Sequence, residues 1–216
     1  IYTIEDTLAT NLGYDLYYMA DLADYPTLSS DIIQDVTLTS GDSEITFTVS
    51  EVEVEVSDDE DEDSSAESDA SSSSSEPETE IEYHWFLDGE DVTEQSQITS
   101  LNTEVDSISM YSLAAFKPTD EALEVYGLTE PTMTLTVRYT DEDDDGDEIT
   151  VTSVLTVGSC NEDEDAYYCT LDTNPNEVYL ISSSSIEASL ELAANGLTYD
   201  SEDAEDTDAD TSTDSE

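Results

Sequence analysis

The chain has 216 residues, of which 58 are acidic and two, Lys117 and Arg138, are basic, for a formal net charge of -56. Such a surface repels nucleic-acid phosphates and anionic lipid headgroups and attracts cations, so nucleic acid and direct binding to an anionic membrane are excluded as functions. The length suits one large or two small domains, and thirteen tyrosines offset a hydrophobic content of 36 %, so a folded core carrying acidic disordered segments is expected.

Residues 1–4, IYTI, read as a short strand. Leu8, Leu12, Leu16 and Met19 then recur at helical spacing until Asp24-Tyr25-Pro26. Residues 33–40 and 44–56 alternate apolar and polar around a Ser40-Gly41-Asp42 turn and predict a hairpin. Ser57 to Glu80 is serine and acid, with too little apolar surface to offset its ordering entropy, and is expected to be a disordered insert. YHWFL (83–87) follows as a strand closed by Asp88-Gly89. Ile98, Leu101, Val105 and Ile108 mark one face of a helix.

A second helix is predicted over 119–126. Asp120 and Glu121 suit its N-terminal end, and Gly127 supplies its left-handed stop with Leu128 behind. Residues 132–140 and 149–157 form another hairpin, with Met133, Leu135, Val137 and Tyr139 on one face. Tyr167–Leu171 and Val178–Ile181 add two strands. A last helix runs from Ser183 to Ala194, with Ile186 and Leu190 inward and Asn195-Gly196 as its stop. From Asp200 onward the chain is an acidic tail.

IYTI followed by Leu8 and Leu12 echoes VYLI (178–181) followed by Ile186 and Leu190. The echo makes residues 1–25 the closing strand and helix of a preceding unit, residues 26–199 one domain with its insert at 57–80, and 200–216 a disordered tail. The fold class is therefore α+β, with antiparallel hairpins and short helices in a repeated unit. The chain opens on Ile1 rather than Met, as a processed or trimmed protein does, a start compatible with an anchor or export signal outside it.

Residues 121–137, EALEVYGLTEPTMTLTV, carry a short helix, a Tyr-Gly-Leu stop, a proline and a strand. Residues 166–190, AYYCTLDTNPNEVYLISSSSIEASL, carry a tyrosine-rich strand, a turn, a Val-Tyr-Leu strand and a serine-rich helix start. With DIIQDVTLTS (31–40) and YHWFL, this pattern over residues 31–197 resembles the bacterial envelope proteins classed as domain of unknown function 4340. The resemblance implies an α+β domain, often in tandem, on surface or membrane-anchored proteins, some of them beside transporters of the ATP-binding-cassette type. It implies no enzymatic activity and no catalytic residues. The family's members usually carry many lysines, whereas this chain has one, and it adds the acidic insert.

Residues able to carry chemistry are few. The single histidine, His84, lies within a strand, where Tyr83, Trp85 and Leu87 share the opposite face. No GxSxG elbow surrounds a serine and no glycine-rich loop is present. Two cysteines and one histidine, far apart in sequence, make a poor zinc set. Asp141, Asp143 and Asp145 before Gly146, with Asp147 after it, match the opening of a calcium loop, but Thr152 stands where a bidentate glutamate belongs. Calcium binding at this tip and a plain polar turn both fit. NEDED (161–165) is a second tip of this kind. Cys160 and Cys169 flank NEDEDAYY, so a bridge across that loop and two free thiols both remain open. Lys117 and Arg138 are expected to form local ion pairs.

These features converge on a non-enzymatic, extracellular or cell-envelope domain of a bacterial surface protein. Its expected role is structural or interaction-based, with an unidentified protein partner, and the resemblance further implies a possible link to a transporter. The alternatives are a calcium-stabilised surface or adhesion module and a salt-adapted secreted protein.

Overall fold

The computed structural model describes residues 20–55, 79–143 and 145–199. Among these the dominant element is a nine-stranded antiparallel sheet, with three short α-helices. The strands are β1 (Ile33–Ser40), β2 (Ser43–Glu55), β3 (Thr79–Leu87), β4 (Glu90–Asp91), β5 (Met110–Phe116), β6 (Met133–Glu142), β7 (Glu148–Asn161), β8 (Ala166–Leu171) and β9 (Glu177–Ser182). The helices are α1 (Ser96–Ser107), α2 (Asp120–Val125) and α3 (Glu187–Asn195), the last preceded by a 3-10 turn at Ser183–Ser185. The order across the sheet is β4-β3-β2-β1-β6-β7-β8-β9-β5. The protein is thus α+β in class but mainly sheet.

Strict alternation explains the sheet's two faces. Val36 and Leu38 of β1, Phe47 and Val49 of β2, and Met133, Leu135 and Val137 of β6 all point into one core. In-register pairs such as Val36↔Phe47, Val36↔Val137 and Leu38↔Leu135 line them up across strands. Ile98, Leu101 and Val105 of α1 and Leu192 of α3 pack onto this face. Each fully buried Leu or Phe side chain contributes about 1.5–3 kcal/mol. The opposite face carries rows of threonine: Thr46, Thr37 and Thr136 in one, and Thr39, Thr134, Thr156 and Thr170 in another.

The turns follow local chemistry. Asp88-Gly89 has both residues at positive φ, 52° and 86°, as the two-residue hairpin between β3 and β4 requires. Helix α2 starts at Thr119, whose hydroxyl accepts the Ala122 N–H, and Asp120 and Glu121 occupy its first turn. Its end is the predicted one. Gly127 sits at φ 70°, and the Leu128 N–H reaches back to the Leu123 carbonyl.

Three expectations need correction. Thr79 and Glu80, assigned to the acidic insert, are the first residues of β3. Strands β4 and β5 have no counterpart in the sequence reading. Ala20, Leu22, Ala23 and Tyr25 pack against the same core as the sheet, so the boundary expected at residue 25 falls within a packed segment. The strand at 1–4, the helix around Leu8–Met19, the rest of the insert and the tail from Asp200 lie outside the described residues.

Candidate functional site

The most polar constellation is at the β3–β4 corner. His84 Nδ1 lies 2.6 Å from Asp91 Oδ2, and its Nε2 lies 3.2 Å from Glu82 Oε2. Asp91 also accepts from the Thr93 N–H (3.0 Å) and hydroxyl (2.7 Å), while Thr93 Oγ1 accepts the Trp85 N–H at 2.8 Å. The hydrogen bond to Asp91 raises the imidazole pKa above its ordinary 6.5, against partial burial and with help from Glu82. Burial pushes Asp91 up, but the bonds from His84 and Thr93 outweigh it and hold the carboxyl below its ordinary range. Both ring nitrogens are thus engaged by carboxylates. This arrangement fastens β4 to β3; it does not present a free base to a substrate.

The acidic hairpin tip between β6 and β7 is a self-capped turn. Asp143 Oδ1 accepts the N–H groups of Asp145 (2.9 Å) and Asp147 (3.0 Å). Asp141 likewise accepts the Glu142 N–H, and Gly146 takes φ 81°. Asp141, Asp143, Asp145 and Asp147 do not gather into a metal cage, and no group of three His, Cys, Asp or Glu does so among the described residues. The second tip, 161–165, turns through Asp165 at φ 51°.

Cys160 and Cys169 are both free. A bulge in β7 lies between Val157 and Cys160, so Cys169 pairs with Val157 and Cys160 with Tyr167. The cysteines are therefore diagonal neighbours, roughly 7–8 Å apart for such a relation, beyond the usual span of a disulfide. Of the two states left open from sequence, the structure has the free thiols. Cys160 is exposed, whereas burial pushes the Cys169 thiol up to about 12. The two cations are placed differently from each other. Arg138 Nη2 meets Asp35 Oδ2 of the neighbouring β1 at 2.8 Å, the expected ion pair. Lys117 instead holds its ammonium 5.1 Å from the Phe116 ring centroid.

Sequence reasoning missed the groove between α1 and α3, a concavity of about 500 Å³ lined by Ser100, Thr103, Glu104, Ser184, Glu187 and Glu191. Its key residue is Glu104. Helix α3 has no side-chain cap of its own at Ile186. Glu104 of α1 supplies one, accepting the Ala188 N–H (2.7 Å), the Ser189 N–H (2.8 Å) and the Ser189 hydroxyl (2.7 Å). Those N–H groups are the ones an N-cap residue would serve, and a carboxylate there also suits the helix dipole. A mid-helix glutamate gives no sequence signal for this role.

The family model described as domain of unknown function (DUF4340) matches residues 85–198, just over half of the chain. The chain belongs to this family. In this DUF4340 protein the matched span runs from Trp85 in β3 past the end of α3, and includes the α2 stop and the strands β6 to β9. Residues 31–84, included in the resemblance read from sequence, lie outside it. No curated protein and no solved structure matches the chain significantly.

Proposed function

We propose that this DUF4340 domain is a non-enzymatic structural or interaction module of a bacterial cell envelope, held outside the cytoplasm and working beside a transporter. The non-enzymatic part of this reading is supported by the state of His84, and its envelope setting by membership of the DUF4340 family. The chain's one imidazole has both nitrogens tied to carboxylates, and general-base activation of a nucleophile needs one of them free. The charge supports the same reading by disfavouring nucleic acid and anionic lipid. On this reading the domain is one unit of a repeated array.

The test is topological. A C-terminally tagged full-length protein is expressed in a bacterial host, and protease is added to spheroplasts. Loss of the tag while a cytoplasmic marker survives is the expected result. A tag that resists protease until the cells are lysed would overturn the proposal.

A further inference from the structure

A second concavity, of about 470 Å³, adjoins the α1–α3 groove and shares Ser184, Glu187 and Glu191 with it. Its remaining lining is Asp165, Tyr167, Ser183 and Leu190. Short backbone links bring these residues together. Tyr167 of β8 stands opposite Ile181 of β9, and the Ser183 N–H bonds to the Asp165 carbonyl at 3.0 Å. The Ile186 N–H reaches the Ser183 carbonyl (3.3 Å) and the Leu190 N–H the Ile186 carbonyl (3.0 Å), which sets Leu190 one turn further along. Tyr167 and Leu190 are half-buried, packed against the main core while still facing the cavity, and supply its apolar floor. Asp165, Ser184, Glu187 and Glu191 are exposed and form a polar rim.

One group in this wall is unpaired. Ser183 Oγ is buried and has no hydrogen-bond partner among the described residues, although Ser182 and Ser184 on either side bond each other at 3.0 Å. A buried hydroxyl without a partner is costly. Ser183 as a residue is half-buried, and a turn about χ1 toward the cavity it lines breaks no hydrogen bond. A ligand that accepts or donates there removes the cost. Its class follows from the other walls. Three carboxylates repel an anion, and no group of His, Cys, Asp and Glu holds a metal ion among the described residues. A neutral ligand must lay apolar C–H surface on Tyr167 and Leu190, donate to carboxylates and meet serine hydroxyls. A sugar ring does all three. We infer that this cavity binds a pyranose, free or as one residue of a glycan, with its C–H face on Tyr167 and Leu190 and its hydroxyls on Ser183 and Glu191. The volume lies within the roughly 300–1,000 Å³ of small-ligand sites, and the adjoining groove, with Ser100 and Thr103, has room for the next residue of a chain.

Nuclear magnetic resonance titration of the uniformly labelled full chain tests it. The probes are methyl β-glucopyranoside, methyl N-acetyl-β-glucosaminide, the matching linear tetrasaccharides, mannitol as an open-chain polyol and n-butylammonium as a cation. At least one pyranoside should give saturable shifts at Tyr167, Ser183 and Leu190, and mannitol and n-butylammonium should give none. Ser183→Ala should weaken that binding about fivefold, the worth of one hydrogen bond, without lowering the melting temperature, because it deletes an unpaired buried hydroxyl. Glu191→Ala, at an exposed position that leaves folding untouched, should weaken it by about the same factor. A tetrasaccharide that binds more tightly than its monomer, with shifts reaching Ser100 and Thr103, assigns the site to a glycan, and equal binding assigns it to a free sugar; either supports the site. No saturable shift at these residues with any pyranoside would overturn the inference. Unchanged affinity in Ser183→Ala would do the same, as would n-butylammonium binding there in place of the sugars, which would mark a cation site.

Discussion

Gly158→Ala is the substitution for which the structure makes the sharpest demand. A Cβ at this buried position would lie 2.1 Å from the Tyr126 carbonyl oxygen, 3.1 Å from the Gly127 carbonyl carbon and 3.2 Å from Leu128 Cδ2. The α2 stop must then back away from β7 by at least about 1 Å to reach ordinary contact. That movement breaks the bond from the Ser159 N–H to the Tyr126 carbonyl, now 2.7 Å, and pulls Tyr126 from the Tyr168 ring, 4.5 Å away between centroids. An unsatisfied amide costs about 1–3 kcal/mol, and loss of a ring pair about 0.5–1.5 kcal/mol. The expected loss is therefore about 2–4 kcal/mol. With a urea slope of about 2 kcal/mol/M, the unfolding midpoint falls by about 1–2 M. Gly41→Ala is the comparator, because Gly41 has φ 58° and open space around it, so alanine meets only left-handed strain of about 1 kcal/mol. If Gly158→Ala proves no more destabilising than Gly41→Ala, the close approach of α2 to β7 is not structurally required and the reasoning fails.

Glu104→Ala leaves two backbone N–H groups and the Ser189 hydroxyl without their acceptor, and should cost about 3 kcal/mol in urea unfolding, with Glu104→Gln costing less; a loss under about 0.5 kcal/mol would deny the cap its role. In native protein at pH 8 a thiol reagent should modify Cys160 rapidly and Cys169 only after unfolding, so two fast thiols, or none, would contradict the assignment. His84 should titrate above 6.5 by NMR. Because its folded pKa is raised, its contribution to stability is complete below 6.5 and is lost as pH rises through the folded value. Asp91 is depressed, so its contribution is present above the ordinary carboxylate range and is lost as pH falls through the folded value. An imidazole titrating at or below 6.5 would contradict the clasp. Since Asp143 already caps its own turn, millimolar calcium should raise the melting temperature no more than magnesium does, and a calcium-specific rise of several degrees would show that the tip rearranges around the ion.

The sequence was readable wherever one rule acted alone. Met133, Leu135, Val137 and Tyr139 alternate without interruption, and all four are buried along β6. Thr119, Gly127 and Leu128 bounded α2 through capping chemistry confined to a few neighbouring residues. Strand β5 escaped because its pairing with β9 is irregular between Met110 and Ser112 and again between Leu113 and Ala115, and such breaks erase period-two alternation. Strand β4 is two residues long and carries no apolar signal. The bulge in β7 likewise set the cysteines on a diagonal, an offset that spacing cannot show. The cap from Glu104 and the cavity beside the start of α3 join residues distant in sequence, and a local pattern cannot reveal either.

The position of β1 has a consequence for where this domain can be cut. β1 lies between β2 and β6, and through β2 it is the only link in the sheet between the β3–β4 edge and the strands from β6 to β9. A fragment trimmed to residues 85–198 would keep only the last three residues of β3 and all of β6 but delete the two strands that join them. It would bare Val137 and Leu135 along one side and leave Trp85 without Val49 opposite. Leu28, itself wholly buried, and the strands β1 and β2 thus belong to the same packed core as the stretch the family model matches, although they precede it. The stretch that the family model matches is shorter than the body that packs around this one core.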